Sequence, residues 1–250
     1  MAGHSKWANI KHKKARNDAA RGKEWSKRSR AIIVAAKEGG SDPEKNLALR
    51  YAIEEAKACN MPKDTIERAA KKGAGELGGQ TYESIRYEGY GAAGVAVIVD
   101  ALTDNRNRTA PEMRTIFGKF SGNLGATGCV SYLFDQRGVI TIEHDKIPGE
   151  DALMELALEA GAEDVRLEDG LWSLTCDPAQ FLDLKTAIDA ADIECISAQI
   201  TMIPQNTIEV AGNDAGKILR LMDALEDHDD VQKVYSNFDI SEEELAKLEA

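Results

Sequence analysis

From Val139 to Thr201 the chain reads VITIEHDKIPGEDALMELALEAGAEDVRLEDGLWSLTCDPAQFLDLKTAIDAADIECISAQIT. Strand and helix patterns alternate along it. Val139–Glu143 reads as a strand, Asp151–Ala160 as a helix, Asp164–Glu168 and Leu171–Cys176 as strands, Ala179–Ala190 as a helix and Glu194–Thr201 as a strand. That order, β-α-β-β-α-β, is the ferredoxin-like arrangement, and it is complete in itself between residues 136 and 203.

The segments on either side are incomplete alone. Upstream, Ile85–Glu88 and Val95–Leu102 read as a strand pair, Thr109–Phe120 as a helix with Thr109 and Glu112 spaced for a capping box, and Cys129–Phe134 as a strand. Downstream come a strand over Thr207–Val210, a helix over Asp214–Leu225 and a strand over Val231–Asn237. Joined, they make a unit of two helices and five strands. The expectation is therefore a discontinuous middle domain, residues 81–135 plus 204–240, into which residues 136–203 are inserted, with an acidic tail over 241–250.

Residues 1–80 have a different texture. A helix is expected from Arg21, with Trp25, Ser29, Ile32, Ile33 and Ala36 at helical spacing and Gly39-Gly40 as its stop. Ser41-Asp-Pro-Glu44 reads as the capping box of a second helix, whose inward stripe is Leu49, Ala52, Ile53 and Ala56. Pro62 opens a third, carrying Ile66, Ala69 and Ala70 and ending at Lys71-Lys72-Gly73. Ala74–Gln80 is a linker. The fold class expected is α+β: an N-terminal three-helix domain followed by two α/β-sandwich domains, one ferredoxin-like and inserted in the other.

Charge is segregated along the chain. Ten of the first thirty residues are Lys or Arg: Lys6, Lys11, Lys13, Lys14, Arg16, Arg21, Lys23, Lys27, Arg28 and Arg30. Only Asp18 and Glu24 oppose them, so this end carries +8 on a protein of net charge −12, and the other 220 residues carry −20. A cationic end on an anionic body suits a polyanion. Trp7 lies in the densest basic run and supplies a ring for a base or sugar edge, while His4 and His12 add donors. A solvated basic tail is the plain alternative. Residues 1 to about 20 lack apolar periodicity and are not expected to order alone. A second candidate contact is the loop Thr103-Asp-Asn-Arg-Asn-Arg-Thr109, where Asn105, Arg106, Asn107 and Arg108 offer phosphate or ribose contacts; turn and cap roles are the alternative.

Other chemistry finds no support. Cys59, Cys129, Cys176 and Cys195 are scattered without a C-x-x-C pair, which favours reduced thiols, and the four histidines lack metal-ligand spacing. Gly89-Tyr-Gly-Ala-Ala-Gly94 spells G-x-G-x-x-G, but the β-branched run Val95–Val99 follows it, so it reads as a hairpin turn. Glu226-Asp-His-Asp-Asp230 lacks the glycine and spaced ligands of a calcium loop and reads as a solvated helix end. No nucleophile elbow is present. No apolar run spans a membrane, and no signal-peptide core follows the start. The expectation is a cytoplasmic non-enzyme without cofactor, metal, membrane or small-molecule substrate.

The opening Ala2-Gly-His-Ser-Lys-Trp-Ala-Asn-Ile-Lys-His-Lys-Lys14 closely resembles the start of the YebC/PmpR family. Asn60-Met-Pro-Lys-Asp-Thr-Ile-Glu-Arg-Ala69, Tyr87-Glu-Gly-Tyr-Gly91, Thr103–Thr109 and Gly122-Asn-Leu-Gly125 resemble it too, in the same order. Cys129 departs from the small serine-like residue usual there. The resemblance implies a cytoplasmic, cofactor-free, three-domain protein acting in gene expression. Some relatives are described as sequence-specific DNA binders. Others are described as ribosome-associated translation factors that ease synthesis of proline-rich stretches, with mitochondrial translational activators among their kin. It thus implies a probable transcriptional regulator binding DNA through its basic N-terminal domain, or a translation factor binding ribosomal RNA. A protein-interaction module working through the acidic domains is a third class. No recognition helix rich in Arg, Asn and Gln stands out, so backbone binding is better supported than base readout.

Overall fold

A computed structural model describes residues 18–77, 82–147, 149–168, 170–241 and 243–245, with side chains from Gly22 onward except that of Leu47. The fold is α+β, with an N-terminal three-helix domain followed by two α/β domains, one ferredoxin-like and inserted in the other. By its packing the chain falls into two compact units, one spanning Phe134–Gln205 and the other the chain on either side.

The helices are α1 (Asp18–Gly39), α2 (Leu47–Ala58) and α3 (Lys63–Gly73). They close on Ile32, Ile33, Ala36, Leu49, Ala56 and Ile66, with Trp25 packed at the margin. Small residues set the spacing: a Cβ on Gly73 would stand 2.4 Å from the Ile33 carbonyl oxygen, so only glycine lets α3 approach α1 there. The cap of α2 is Asn46, not the expected Ser41 box. Its Oδ1 accepts from the Leu49 amide at 3.1 Å, and its Nδ2 donates to the carbonyls of Ala35 and Gly40 at 2.7 and 2.8 Å. One buried amide thus satisfies the end of α1 and the start of α2, which a serine could not do.

The rest of this unit is built on a sheet ordered β3-β1-β2-β9, from Asn123–Leu124, Glu83–Tyr90, Ala96–Thr103 and Val231–Ser236. Helices α4 (Arg106–Lys119) and α7 (Gly212–Glu226) cover one face, where Val97, Val99 and Val234 meet Met113, Phe117, Ile218 and Leu225. On the other, α1 lies against β2 and β9, and Ala96, Ile98 and Tyr235 are buried. A two-strand parallel ladder pairs β8 (Ile208–Glu209) with β10 (Phe238–Asp239). The G-x-G-x-x-G stretch is the β1–β2 hairpin turn, with Ala93 and Gly94 at φ of 55° and 77°.

The expected strand over Cys129–Phe134 does not form. Glu88, only 2% exposed, accepts from the amides of Gly128, Val130 and Ser131 at 2.8, 2.9 and 2.8 Å. Those three donors wrap around a carboxylate, so the segment becomes a loop and a short 3-10 turn over Ser131–Leu133. Burial works against the Glu88 charge, but the three amides and Arg86 hold its carboxyl below the usual carboxylate range.

The other unit has a four-stranded antiparallel sheet ordered β5-β6-β4-β7, from Ala162–Glu168, Leu171–Cys176, Phe134–Glu143 and Cys195–Pro204. With α5 (Glu150–Glu159) and α6 (Phe181–Ala190) this is the ferredoxin-like topology. Its core is Ile140, Ile142, Leu153, Leu174, Leu184 and Ile188.

Candidate nucleic-acid interface

Lys23, Lys27 and Arg30 share one face of α1 by their spacing. Opposite them α7 ends, and its last carbonyls lack intrahelical donors and bear the negative end of the helix dipole. Lys27 Nζ donates to the Glu226 carbonyl at 2.6 Å, Lys23 to that of Asp227, and Arg30 to that of Asp229. Lys23 also lies 3.5 and 3.9 Å from the carboxylates of Asp227 and Asp229. Burial pushes the Lys27 ammonium below its ordinary pKa, against the pull of Glu24, Glu226 and Asp227. The segment Glu226–Asp230 is therefore the seat of α1 rather than a solvated helix end.

Asp230, 4% exposed, organises this seat. Its carboxylate accepts from Arg108 at 2.7 Å, from the Thr109 hydroxyl at 2.8 Å and from Arg30 at 3.2 Å. Burial raises its pKa, but Arg108, Thr109 and Thr103 outweigh it and leave the carboxyl below its usual range. Nearby, His228 Nδ1 accepts the Asp230 amide at 3.1 Å, which leaves Nε2 to meet Glu112 at 3.0 Å. Ligand atoms of Glu112, His228 and Asp230 lie within 4.8 Å of one another. Guanidinium groups already face Asp230, so the set suits an internal ion pair better than a metal.

The other candidate residues are placed as follows. His4, Lys6, Trp7, Lys11, His12, Lys13, Lys14 and Arg16 lie outside the described residues. Arg21 belongs to α1, but its side chain is outside the description. Arg28 is bound to Glu24 and Glu55 at 2.8 and 2.6 Å. Burial works against the Glu55 charge, while Lys233 and Arg28 hold its carboxyl low. Asn105 caps α4 by accepting from the amides of Asn107 and Arg108 at 3.1 and 3.3 Å, displacing the expected Thr109 cap. Thr109 is buried and turned inward to Asp230. Arg106 is exposed and 3.7 Å from Glu83, and Asn107 is exposed. Arg108 is engaged by Asp230 and, at 3.0 Å, by Asp104.

Comparison with known proteins defines the lineage. A family model described as the TACO1/YebC protein N-terminal domain matches residues 5–76, and one described as the TACO1/YebC second and third domain matches residues 82–238. The chain belongs to the TACO1/YebC family. A relative from Natranaerobius thermophilus, named "Probable transcriptional regulatory protein", is 55% identical and covers 97% of this chain and 98% of its own. A second from Rhodopirellula baltica, with the same descriptive name, is 53% identical over 99% of this chain and all of its own. The crystal structure of a conserved hypothetical protein from Aquifex aeolicus superposes with a TM-score of 0.80 at 48% identity, covering 90% of this chain and 93% of that one.

Two of the segments that carried the resemblance, Tyr87–Gly91 and Gly122–Gly125, pack against each other. Gly89 pairs with Leu124, and a Cβ on Gly89 would come within 2.5 Å of the Asn123 carbonyl oxygen. Gly122 admits no Cβ because the Tyr90 carbonyl would lie 2.7 Å from it. In this TACO1/YebC protein those motifs build the sheet edge, and Thr103–Thr109 builds the seat around Asp230. Sequence reasoning missed Asp230 because it sits in an acidic run. Its one distinguishing signal is its place directly before the apolar strand at Val231.

No helix among the described residues is long and apolar enough to cross a membrane. On α3, Arg68 and Lys71 are exposed, but exposed Asp64 and Glu67 alternate with them.

Proposed function

We propose that this protein is a non-enzymatic regulator of gene expression that holds nucleic acid by its phosphate backbone through the basic N-terminus. The observation that carries the reading is the segregation of charge: +8 in the first thirty residues against −20 in the rest. Lys23, Lys27, Arg28 and Arg30 meet partners in their own chain, so the contact is assigned to Lys6, Lys11, Lys13, Lys14, Arg16 and Arg21 ahead of them, with Trp7 stacking. The relatives' name makes DNA the first target. Ribosomal RNA is the second reading, favoured because the acids interleaved on α3 suit that helix poorly to major-groove readout, whereas folded RNA is met through shape and unpaired bases.

Five of the six cations precede Asp18, so replacing Lys6, Lys11, Lys13, Lys14 and Arg16 by Gln leaves residues 18–39 of α1 unchanged. For duplex DNA this variant should flatten the slope of log K against log salt by about 4 to 5. Trp7→Ala should weaken binding by roughly 1–3 kcal/mol. An unchanged slope would move the binding surface elsewhere. Titration against a candidate promoter, random duplex and ribosomes at one salt concentration separates the targets. Promoter preference of about a thousandfold identifies a DNA regulator, and stronger ribosome binding a translation factor.

A further inference from the structure

Between Glu112 and Asp135 the chain holds no Asp or Glu, the longest such stretch in a strongly acidic protein, and Arg114 and Lys119 are its charges. The fold brings this stretch to one end of the β3-β1-β2-β9 sheet, beside the equally acid-free hairpin turn Gly89–Val95: Asn123 pairs with Tyr90, and the Gly125 amide donates to the Glu88 carbonyl at 2.8 Å. Residues 125–128 are exposed there, and Tyr132 is 65% exposed.

A single exposed ring is ordinary. This one is held in place. Its turn is bound to buried Glu88 by three amides, and the Tyr90 hydroxyl donates to the Cys129 carbonyl at 3.1 Å, three residues before the ring. Two non-glycine residues at this end, Ala93 and Ser121, have positive φ of 55° and 63°. Backbone strain of that kind persists where the surroundings over-determine a conformation, and it gathers at binding sites. The geometry points to Tyr132 as a stacking platform for an unpaired base of folded RNA, with the acid-free surface and Lys119 accepting the adjoining phosphates. An exposed ring matches the π-face of an unstacked base, which blunt duplex does not offer. The inference rests on the nucleic-acid reading above and adds a second, separate contact to it.

The test uses the full-length protein, an RNA hairpin with an unpaired loop and a blunt RNA duplex of equal phosphate count. Tyr132→Ala should weaken hairpin binding by about 5- to 160-fold, the range of a lost base–ring stack, and duplex binding by less than about twofold. Tyr132→Trp should retain hairpin binding. Unchanged hairpin binding by the Ala variant, or equal loss on both RNAs, overturns the inference. If the wild-type protein binds neither RNA nor DNA, the nucleic-acid reading itself falls. Crosslinking of wild-type protein to a 4-thiouridine in the hairpin loop is independent of any variant's folding. An adduct on the Tyr132 peptide supports the platform, and adducts confined to residues ahead of Gly22 overturn it.

Discussion

Replacing Asp230 by Ala should destabilise the unit that contains α1 and the β3-β1-β2-β9 sheet. The carboxylate is 5% exposed and receives Arg108, Thr109 and Arg30 at 2.7, 2.8 and 3.2 Å. Breaking a buried ion pair from one side costs about 3–5 kcal/mol. Arg108 is 43% exposed and keeps Asp104 at 3.0 Å, so solvent and a second partner recover part of that. The expected loss is about 2–3 kcal/mol, or about 5–10 °C in melting temperature for a unit of this size. Asp230→Asn keeps an acceptor for Thr109 and should lose somewhat less. Because the folded carboxyl titrates below its usual range, the wild-type advantage is complete above about pH 4 and fades as pH falls through the folded pKa. Thermal melts at a series of pH values measure this, and a double-mutant cycle with Arg30→Met reads the coupling across the α1 seat. A melting temperature for Asp230→Ala within about 1 °C of wild type at neutral pH would refute the reasoning.

Glu88→Gln replaces three charge-assisted amide contacts by one acceptor and one opposing NH2, at a cost of about 2–3 kcal/mol. The Glu88 carboxyl is also held low, so chemical denaturation should show the difference at neutral pH and lose it in acid, as pH falls through the folded pKa. Asn46→Ala removes a cap and strands the carbonyls of Ala35 and Gly40, for about 2 kcal/mol by urea unfolding; a loss under about 0.5 kcal/mol would mean that water replaces it.

The sequence by itself determined the main helices and long strands and their order, though not the loop that replaces the strand expected over Cys129–Phe134. Periodicity is local: Leu171–Cys176 alternates buried and half-buried side chains, and Gly39, Gly73 and Pro62 mark helix ends, without reference to any distant residue. The β-α-β-β-α-β order followed from that pattern, and the all-antiparallel ladder is its usual closure. The basic end was equally legible, because charge along a chain can be counted.

Tertiary structure decided which polar groups meet. Asn46 and Glu88 act as cap and anchor because buried backbone donors and acceptors lie near them in space, and the expected Ser41 box lost to Asn46, which directly precedes the helix. The separation of Arg30 from Asp230 and of Lys23 from Asp227, some two hundred residues, carries no local signal. Counting charge placed all ten cations in one basic end. The fold divides them, since the carbonyls of Glu226, Asp227 and Asp229, at and just beyond the end of α7, accept from Lys27, Lys23 and Arg30.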